Sequence, residues 1–193
     1  MEDASDLPNA VEALLRIQYK HNQHSRNLQA DAAFWASVSV LHGSEDSEMR
    51  RLDGRKLTPE DFSLRYADRP ALLTGLAEDW AAKERWTLET LLESHGDTEF
   101  QIAGGRIRLR WYVNYVRRSS ADWPFYIFEE NLQEERAALL EDYRAPEVFG
   151  NDLLCLPKGQ RPARRYFLIG PRGTGTLLHQ DPMMTSAWNT LVH

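Results

Sequence analysis

The stretch Thr176-Leu177-Leu178-His179-Gln180-Asp181-Pro182 decides how the rest of the chain is interpreted. Leu177 and Leu178 indicate the end of a β-strand, and side chains two positions apart on an extended backbone point to the same face. His179 and Asp181 can therefore direct an imidazole nitrogen and a carboxylate oxygen at one point. These groups are two of the three ligands in the 2-His-1-carboxylate triad, which holds Fe(II) and leaves coordination positions open.

A His-x-Asp tripeptide is a weak signal by itself, because placement of both side chains on the surface is the common alternative. The given sequence ends at His193, soon after Asp181. No residue in that interval can be assigned as the third ligand, and His193 is given no ligand role.

Composition limits the class of protein. The 193 residues are 42% hydrophobic and 27% charged, as in a soluble globular domain with a substantial core. No apolar run is long enough to span a bilayer, and the N-terminus lacks the features of a signal peptide. The single cysteine, Cys155, excludes an internal disulfide and fits a reducing compartment. The net charge of −6 argues against sequence-independent binding of nucleic acid.

The chain is predicted to have two parts. Apolar spacing predicts a helix from Asn9 to Asn22 and either a second helix or a buried segment from Asp31 to Leu41. We therefore expect residues 1–48 to be an N-terminal extension, helical or partly disordered, and residues 49–193 to be a compact domain.

Local signals predict the elements of that domain. Its first part is expected to contain an edge strand at 50–52, a helix capped by Thr58, a buried strand at 71–75, and a helix that starts after Thr87 and ends at Gly96. Then follow a hairpin of strands 100–103 and 107–110, a helix at 111–118, a helix at 133–140, and strands at 125–128, 165–170, 187–192 and before His179. Many short strands joined by turns favour a sandwich or barrel over a βαβ fold.

Beyond spacing, a series of motifs from about Met49 to His193 resembles the JmjC-domain oxygenases. The chain looks nearest to the branch that contains bifunctional arginine demethylases and lysyl hydroxylases. The motifs are Arg69-Pro70-Ala71-Leu72-Leu73, Trp86-Thr87-Leu88, Phe125-Tyr126-Ile127-Phe128, Leu140-Glu141-Asp142-Tyr143, Gly170-Pro171-Arg172-Gly173-Thr174-Gly175-Thr176, His179-Gln180-Asp181-Pro182 and Thr185-Ser186-Ala187-Trp188-Asn189.

The resemblance implies an α+β fold: N-terminal helices and part of a double-stranded β-helix, the cupin form of the jelly roll, incomplete at the C-terminus. It also implies Fe(II) as cofactor and 2-oxoglutarate as cosubstrate. By resemblance, His179 and Asp181 bind the metal, and Tyr126, Thr176 and Asn189 line the pocket for the cosubstrate.

Each pocket residue has a simpler alternative. Tyr126 could be a core side chain, Thr176 a strand former, and Asn189 an ordinary polar residue of a strand. The Gly173-Thr174-Gly175 turn suggests a phosphate loop, but it lacks the Gly-Lys-Ser/Thr ending of that motif.

Two functions of different classes follow. The first is an oxygenase that hydroxylates or demethylates lysine or arginine side chains of a protein partner, with no membrane or nucleic acid involved. The resemblance implies a nuclear location, with the cytoplasm as the alternative. Because the third histidine and the 2-oxoglutarate lysine of the family have no counterpart here, we expect this chain to be inactive and poorly stable alone. The second function is a non-catalytic protein-binding module, and a third option is a cupin site that binds Zn or Mn without 2-oxoglutarate.

Overall fold

The computed structural model describes residues 9–17, 50–103, 105–119, 124–130, 132, 134–152, 165–172, 174–176, 181 and 185–193. In these residues the α-helices are 9–17 (α1), Pro59–Arg65 (α2), Ala82–Arg85 (α3), Leu88–His95 (α4) and Leu109–Arg118 (α5). The strands are Arg50–Asp53 (β1), Ala71–Thr74 (β2), Glu99–Ile102 (β3), Gly105–Arg108 (β4), Ile127–Glu129 (β5) and Phe167–Ile169 (β6), and 3-10 helices cover Gly54–Lys56, Glu134–Glu141 and Glu147–Phe149. This mixture confirms the predicted α+β class.

Two predicted helix starts are confirmed in detail. The Thr58 Oγ1 atom accepts a hydrogen bond from the Asp61 backbone N–H at 3.1 Å. At the start of α4, Thr87 Oγ1 accepts from the Thr90 N–H at 3.2 Å. Each hydroxyl satisfies an N–H group that has no partner within its own helix, which stabilises the first turn.

The end of α4 is also as predicted, although for a different reason. Gly96 has an ordinary helical φ of −56°, so the position does not require the left-handed conformation. A Cβ atom there would lie 2.4 Å from the backbone oxygen of Leu92. Glycine is therefore required at this helix end by close approach of the backbone.

A small sheet joins the start of the described domain to the segment after α2. Strands β1 and β2 are parallel, with Arg50 opposite Ala71 and Asp53 opposite Thr74. The prediction that residues 71–75 form a buried strand was wrong in its burial, because Leu72 is 41% exposed. Parallel strands are buried when other elements cover both faces of their sheet. This sheet has only two strands, and alternate residues of β2 remain exposed.

The main sheet has four antiparallel strands in the order β4-β3-β5-β6. The predicted hairpin is confirmed with a shifted boundary, since Ile102 pairs with Gly105 and only residues 103 and 104 lie between the strands. Ala103 has a positive φ of 45°, as the tight turns of hairpins require. Leu109, expected in the second strand, instead begins α5.

One face of this sheet forms the core. It packs against α5 and α1, and the helix predicted from Asn9 is confirmed over residues 9–17. The buried cluster is Val11, Leu91, Phe100, Ile102, Ile107, Leu109, Tyr112, Val113, Tyr115, Ile127, Leu132, Leu139 and Phe167. No helix among the described residues has the length and apolar character needed to cross a bilayer. The described strands form an open sheet and a separate pair, so the partial jelly roll stays a prediction.

Several predicted elements were wrong in type or extent. Residues 134–141 form a 3-10 helix and not an α-helix. The buried residues Arg136 and Leu139 are three apart, so three residues per turn place both on the inner side. Strands 125–128 and 165–170 are reduced to β5 and β6. Residues 187–192 form no strand, because the side chain of Trp188 packs on other aromatic rings and their backbone joins no ladder among the described residues.

The remaining predicted elements lie outside the described residues. These are the helix beyond residue 17, the segment at 31–41, Cys155 and the strand before His179.

Candidate functional site

The predicted metal-binding motif is only partly described. Asp181 is partly buried, whereas His179 lies outside the described residues, so the geometry of the pair stays a prediction. In the part of the chain that the structure describes, no three His, Cys, Asp or Glu side chains come together as a metal cluster. The chemistry of the donor set still fits Fe(II), since one imidazole and one carboxylate are two of the ligands that this ion takes in open sites.

The main sheet places Tyr126 beside the segment that leads to the motif. Ile127 of β5 pairs with Ile169 of β6, so Tyr126 and Gly170 lie next to each other just beyond the last pair. The Tyr126 ring is partly buried and meets Phe128 at 6.3 Å between centroids. The chain then runs from Gly170 to Thr176, which is exposed and lies in no regular element.

Two tyrosines of α5 hold this end of the sheet. Tyr112 Oη lies 3.1 Å from the Phe125 carbonyl oxygen and 3.0 Å from that of Ile169, so its single O–H proton lies within reach of both acceptors. Tyr115 Oη accepts a hydrogen bond from the Phe125 N–H at 2.9 Å. Burial raises the pKa of both phenols, so both remain protonated at neutral pH.

Asn189 lies in a different part of the structure, within the extended segment 185–193, and is exposed. Its neighbour Trp188 anchors the segment. The Trp188 ring stacks on Phe149 with centroids 5.6 Å apart and an angle of 11°. It also meets Trp80 at 6.2 Å and Tyr143 at 6.3 Å. Asn189 is therefore held in place through the ring contacts of Trp188, whereas Tyr126 is held through the end of the main sheet.

Asp142 connects the motifs around this anchor. Its carboxylate, 7% exposed as a residue, accepts from Arg85 Nη1 at 2.8 Å and from Trp86 Nε1 at 2.9 Å. Its backbone oxygen accepts from the Ala82 N–H at 3.0 Å. Since each of its two carboxylate oxygens accepts a hydrogen bond from α3 or from the residue that follows it, Asp142 is a structural clamp that places Tyr143 next to Trp188.

A second buried carboxylate is also structural. Glu129 is fully buried and accepts from the Gln101 N–H and from Arg106 Nη2, each at 3.1 Å. Beyond the pair Ile102–Ile127, where β3 and β5 no longer pair through their backbones, the Glu129 side chain bonds the backbone of β3 instead. A buried charge is tolerated when it is paired and hydrogen-bonded, and Glu129 meets both conditions.

Sequence reasoning missed these supporting residues for a physical reason. The predicted helix at 111–118 contains Tyr112 and Tyr115, but nothing in its spacing shows which groups their hydroxyls bind. Asp142 was noted within a motif, and its partners Arg85 and Trp86 lie more than fifty positions away.

A groove of about 330 Å³ lies between α1 and the β3–β4 hairpin. Its lining is mostly alkyl groups, with Arg106 as the charged side chain. Of the predicted site residues that the structure describes, Tyr126, Thr176, Asp181 and Asn189, none lines this groove.

Comparison with known proteins identifies relatives along nearly the whole chain. The chain is 36% identical to the "Bifunctional arginine demethylase and lysyl-hydroxylase psr-1" of Caenorhabditis elegans over 202 residues, 98% of this chain and 50% of that protein. It is 37% identical to the protein of the same name from Caenorhabditis briggsae, covering 99% of this chain and 51% of that protein. A third relative, "Lysine-specific demethylase JMJ21" of Arabidopsis thaliana, is 36% identical over 145 residues, 72% of this chain and 15% of the plant protein.

These matches confirm the resemblance, and the chain belongs to the JmjC family of demethylases and hydroxylases. Within that family, it matches the two nematode bifunctional proteins along almost its entire sequence. The chain spans about half the length of those two relatives. No protein-family model matches it.

Proposed function

We propose that this chain is part of an Fe(II)- and 2-oxoglutarate-dependent oxygenase that hydroxylates or demethylates lysine or arginine side chains of proteins. The observation that carries the proposal is the alignment of 98% of the chain, at 36% identity, with a bifunctional arginine demethylase and lysyl hydroxylase. The aligned part of this chain contains the His179-Gln180-Asp181 tripeptide. An imidazole and a carboxylate are among the ligands that Fe(II) takes in oxygenases.

The roles of the chain's own residues follow from their chemistry. His179 and Asp181 would hold the metal, and Tyr126, Thr176 and Asn189 would contact 2-oxoglutarate or the substrate. The bound metal with 2-oxoglutarate and O2 supplies the oxidation of a substrate C–H bond. Hydroxylation of a methyl group on nitrogen leads to its loss, whereas hydroxylation of a side-chain carbon is retained.

The main sheet supports this assignment through its connectivity. Tyr126 and Gly170 are neighbours at one end of β5 and β6, and the chain that leaves Gly170 leads to Thr176 and then to the tripeptide. A pocket residue and the approach to the metal ligands thus start from the same rigid part of the fold. Sites on rigid elements hold their geometry better than sites on isolated loops.

The experiment is calorimetric titration of the full chain with Mn(II), a redox-inert substitute for Fe(II), and then with 2-oxoglutarate. We expect 2-oxoglutarate to bind only when the metal is present. His179→Ala and Asp181→Ala should each weaken metal binding by about 10- to 100-fold or more, since loss of a group that only hydrogen-bonds to a metal ligand already costs that much. The matched control is Asp97→Asn, which removes an exposed carboxylate paired with Arg110. Binding of 2-oxoglutarate without the metal, or failure of the chain to bind Mn(II), would contradict the proposal.

The same titration separates the second candidate function, a protein-binding module. The observation that favours it is an apolar strip on the outer face of β5 and β6, where Phe128, Tyr166 and Leu168 are 38%, 46% and 49% exposed. A chain that binds a protein partner through this strip, and binds neither metal nor 2-oxoglutarate, would support the module.

A further inference from the structure

The hydroxyl of Tyr112 occupies an unusual position in the core. The residue is 1% exposed, and its Oη lies within hydrogen-bond distance of two backbone carbonyls, those of Phe125 and Ile169. These carbonyls belong to two different segments, the approach to β5 and the end of β6. One side chain of α5 therefore connects two segments, residue 125 and the end of β6, that are far apart in sequence.

The tie lies at the end of the sheet that carries the candidate site. Ile169 is paired with Ile127, and the next residues outward are Gly170 and Tyr126. Phe125, directly before Tyr126, has its carbonyl bonded by Tyr112 and its N–H bonded by Tyr115. Both the N–H and the C=O of Phe125, the residue before Tyr126, are thus hydrogen-bonded to side chains of α5.

Packing alone does not account for this hydroxyl. A phenylalanine would fill the same apolar space between α5 and the sheet, and burial of an O–H group is unfavourable unless it finds a partner. Burial raises the pKa of Tyr112, and the neighbouring Tyr115 adds to this, so the hydroxyl keeps its proton and remains a donor. The single proton of the Tyr112 hydroxyl therefore lies between the carbonyl oxygens of Phe125 and Ile169.

We propose that Tyr112 is a positioning residue, which fixes Tyr126 and the end of β6 relative to each other so that 2-oxoglutarate can bind. Tyr112 does not touch the cosubstrate and acts through Tyr126 and the end of β6. This inference rests on the proposed function, because it takes Tyr126 as part of the cosubstrate pocket.

The test is calorimetric measurement of the 2-oxoglutarate Kd, with Mn(II) bound, for the full chain and its Tyr112→Phe variant. We expect Tyr112→Phe to raise this Kd about tenfold at most, because the net free energy of one hydrogen bond corresponds to a change of that order. Tyr66→Phe is the matched control, since Tyr66 lies at the end of α2, remote from β5 and β6. The control should leave the Kd unchanged, and the urea midpoint of each variant shows whether it is folded.

A double-mutant cycle distinguishes positioning from general destabilisation. In a Tyr126→Phe background, Tyr112→Phe should change the Kd by about twofold or less, because residues that act through each other are not additive. Hydrogen exchange of peptides that contain residues 125–129 should also become faster in Tyr112→Phe and stay unchanged in Tyr66→Phe.

The outcomes separate the two claims. A wild-type chain that binds no Mn(II) overturns the proposed function and this inference with it, whereas a wild type that binds Mn(II) but no 2-oxoglutarate overturns this inference alone. A wild type that binds, together with a Tyr112→Phe variant of equal affinity, overturns the positioning role alone. An equal change of Kd in both backgrounds also overturns it, because Tyr112 would then act independently of Tyr126.

Discussion

At the scale of single residues, buried polar groups show how the motifs of the sequence are held. Asp142 binds Arg85 and Trp86, Glu129 binds Arg106, and Tyr112 binds two carbonyls. Each of these groups is satisfied within the fold. Removing one partner leaves the other without a hydrogen bond, and the cost is larger than the value of the bond itself.

For Asp142→Ala we expect a loss of about 2 kcal/mol in the free energy of unfolding, because Trp86 Nε1 then loses its acceptor in a mostly buried site. Arg85 is 64% exposed and can return to water, so it adds little to this loss. Urea unfolding followed by tryptophan fluorescence measures the change. Asp79→Ala, which removes an exposed partner of Arg144, is the control and should cost less than about 0.5 kcal/mol. Equal losses in the two variants would contradict the structural role of Asp142.

The two buried tyrosines predict the alkaline limit of stability. The pKa of each lies above the ordinary value of 10.0, so the folded chain keeps protons that the unfolded chain releases. Their contribution is present in full below pH 10.0 and is lost as pH rises above it. The expected loss is about 1.4 kcal/mol per pH unit for each phenol that stays protonated. The free energy of unfolding, measured across this range, should fall less steeply in Tyr112→Phe, and an unchanged slope would contradict the assignment.

At the scale of elements, the sequence predicted most helices and strands, and the errors have identifiable causes. The capping threonines and the hairpin glycines act over a few residues, so Thr58, Thr87 and Gly105 could be interpreted locally. Strand formation depends on a partner. Residues 187–192 have strand-like composition, but their structure is set by contacts of Trp188 with rings distant in sequence, which spacing cannot show.

Trp188→Ala tests whether this ring anchors the segment 185–193. Loss of its contacts with Phe149, Trp80 and Tyr143 should cost about 2 kcal/mol in the free energy of unfolding and free the segment from the domain. Limited proteolysis should then cleave near residues 185–193 much faster. Leu191→Ala is the matched control, since Leu191 is 89% exposed and should be neutral. Equal cleavage of both variants would show that Trp188 is not the anchor.

At the scale of the whole molecule, the two faces of the main sheet differ. The inner face is closed by α5 and α1, whereas Phe128 and Leu168 stand opposite each other on the outer face and remain exposed. The resemblance predicted part of a jelly roll, in which two sheets cover each other, whereas the described strands form one four-stranded sheet and a separate pair. The candidate site was thus predictable as a set of residue types, but its geometry depends on long-range packing that one sequence does not show.

Substitutions on the two faces should therefore differ in how much they lower the free energy of unfolding. Phe167→Ala, on the inner face and 5% exposed, should cost about 3 kcal/mol in the free energy of unfolding. Leu168→Ser, on the outer face and 49% exposed, should change it by less than about 0.5 kcal/mol and should not increase light scattering by the chain. Urea unfolding and light scattering measure these effects, and a large loss of stability in Leu168→Ser would show that the outer face is covered.

The central claim is that His179 and Asp181 bind one metal ion, and pulsed EPR of the Mn(II)-loaded chain tests it most directly. The account predicts a nitrogen coupling from a bound imidazole that disappears in His179→Ala and persists in His95→Ala, where another histidine is removed. It predicts as well that Asp181→Ala lowers the amount of bound Mn(II). An imidazole signal that survives His179→Ala, or Mn(II) binding unaffected by Asp181→Ala, would contradict it.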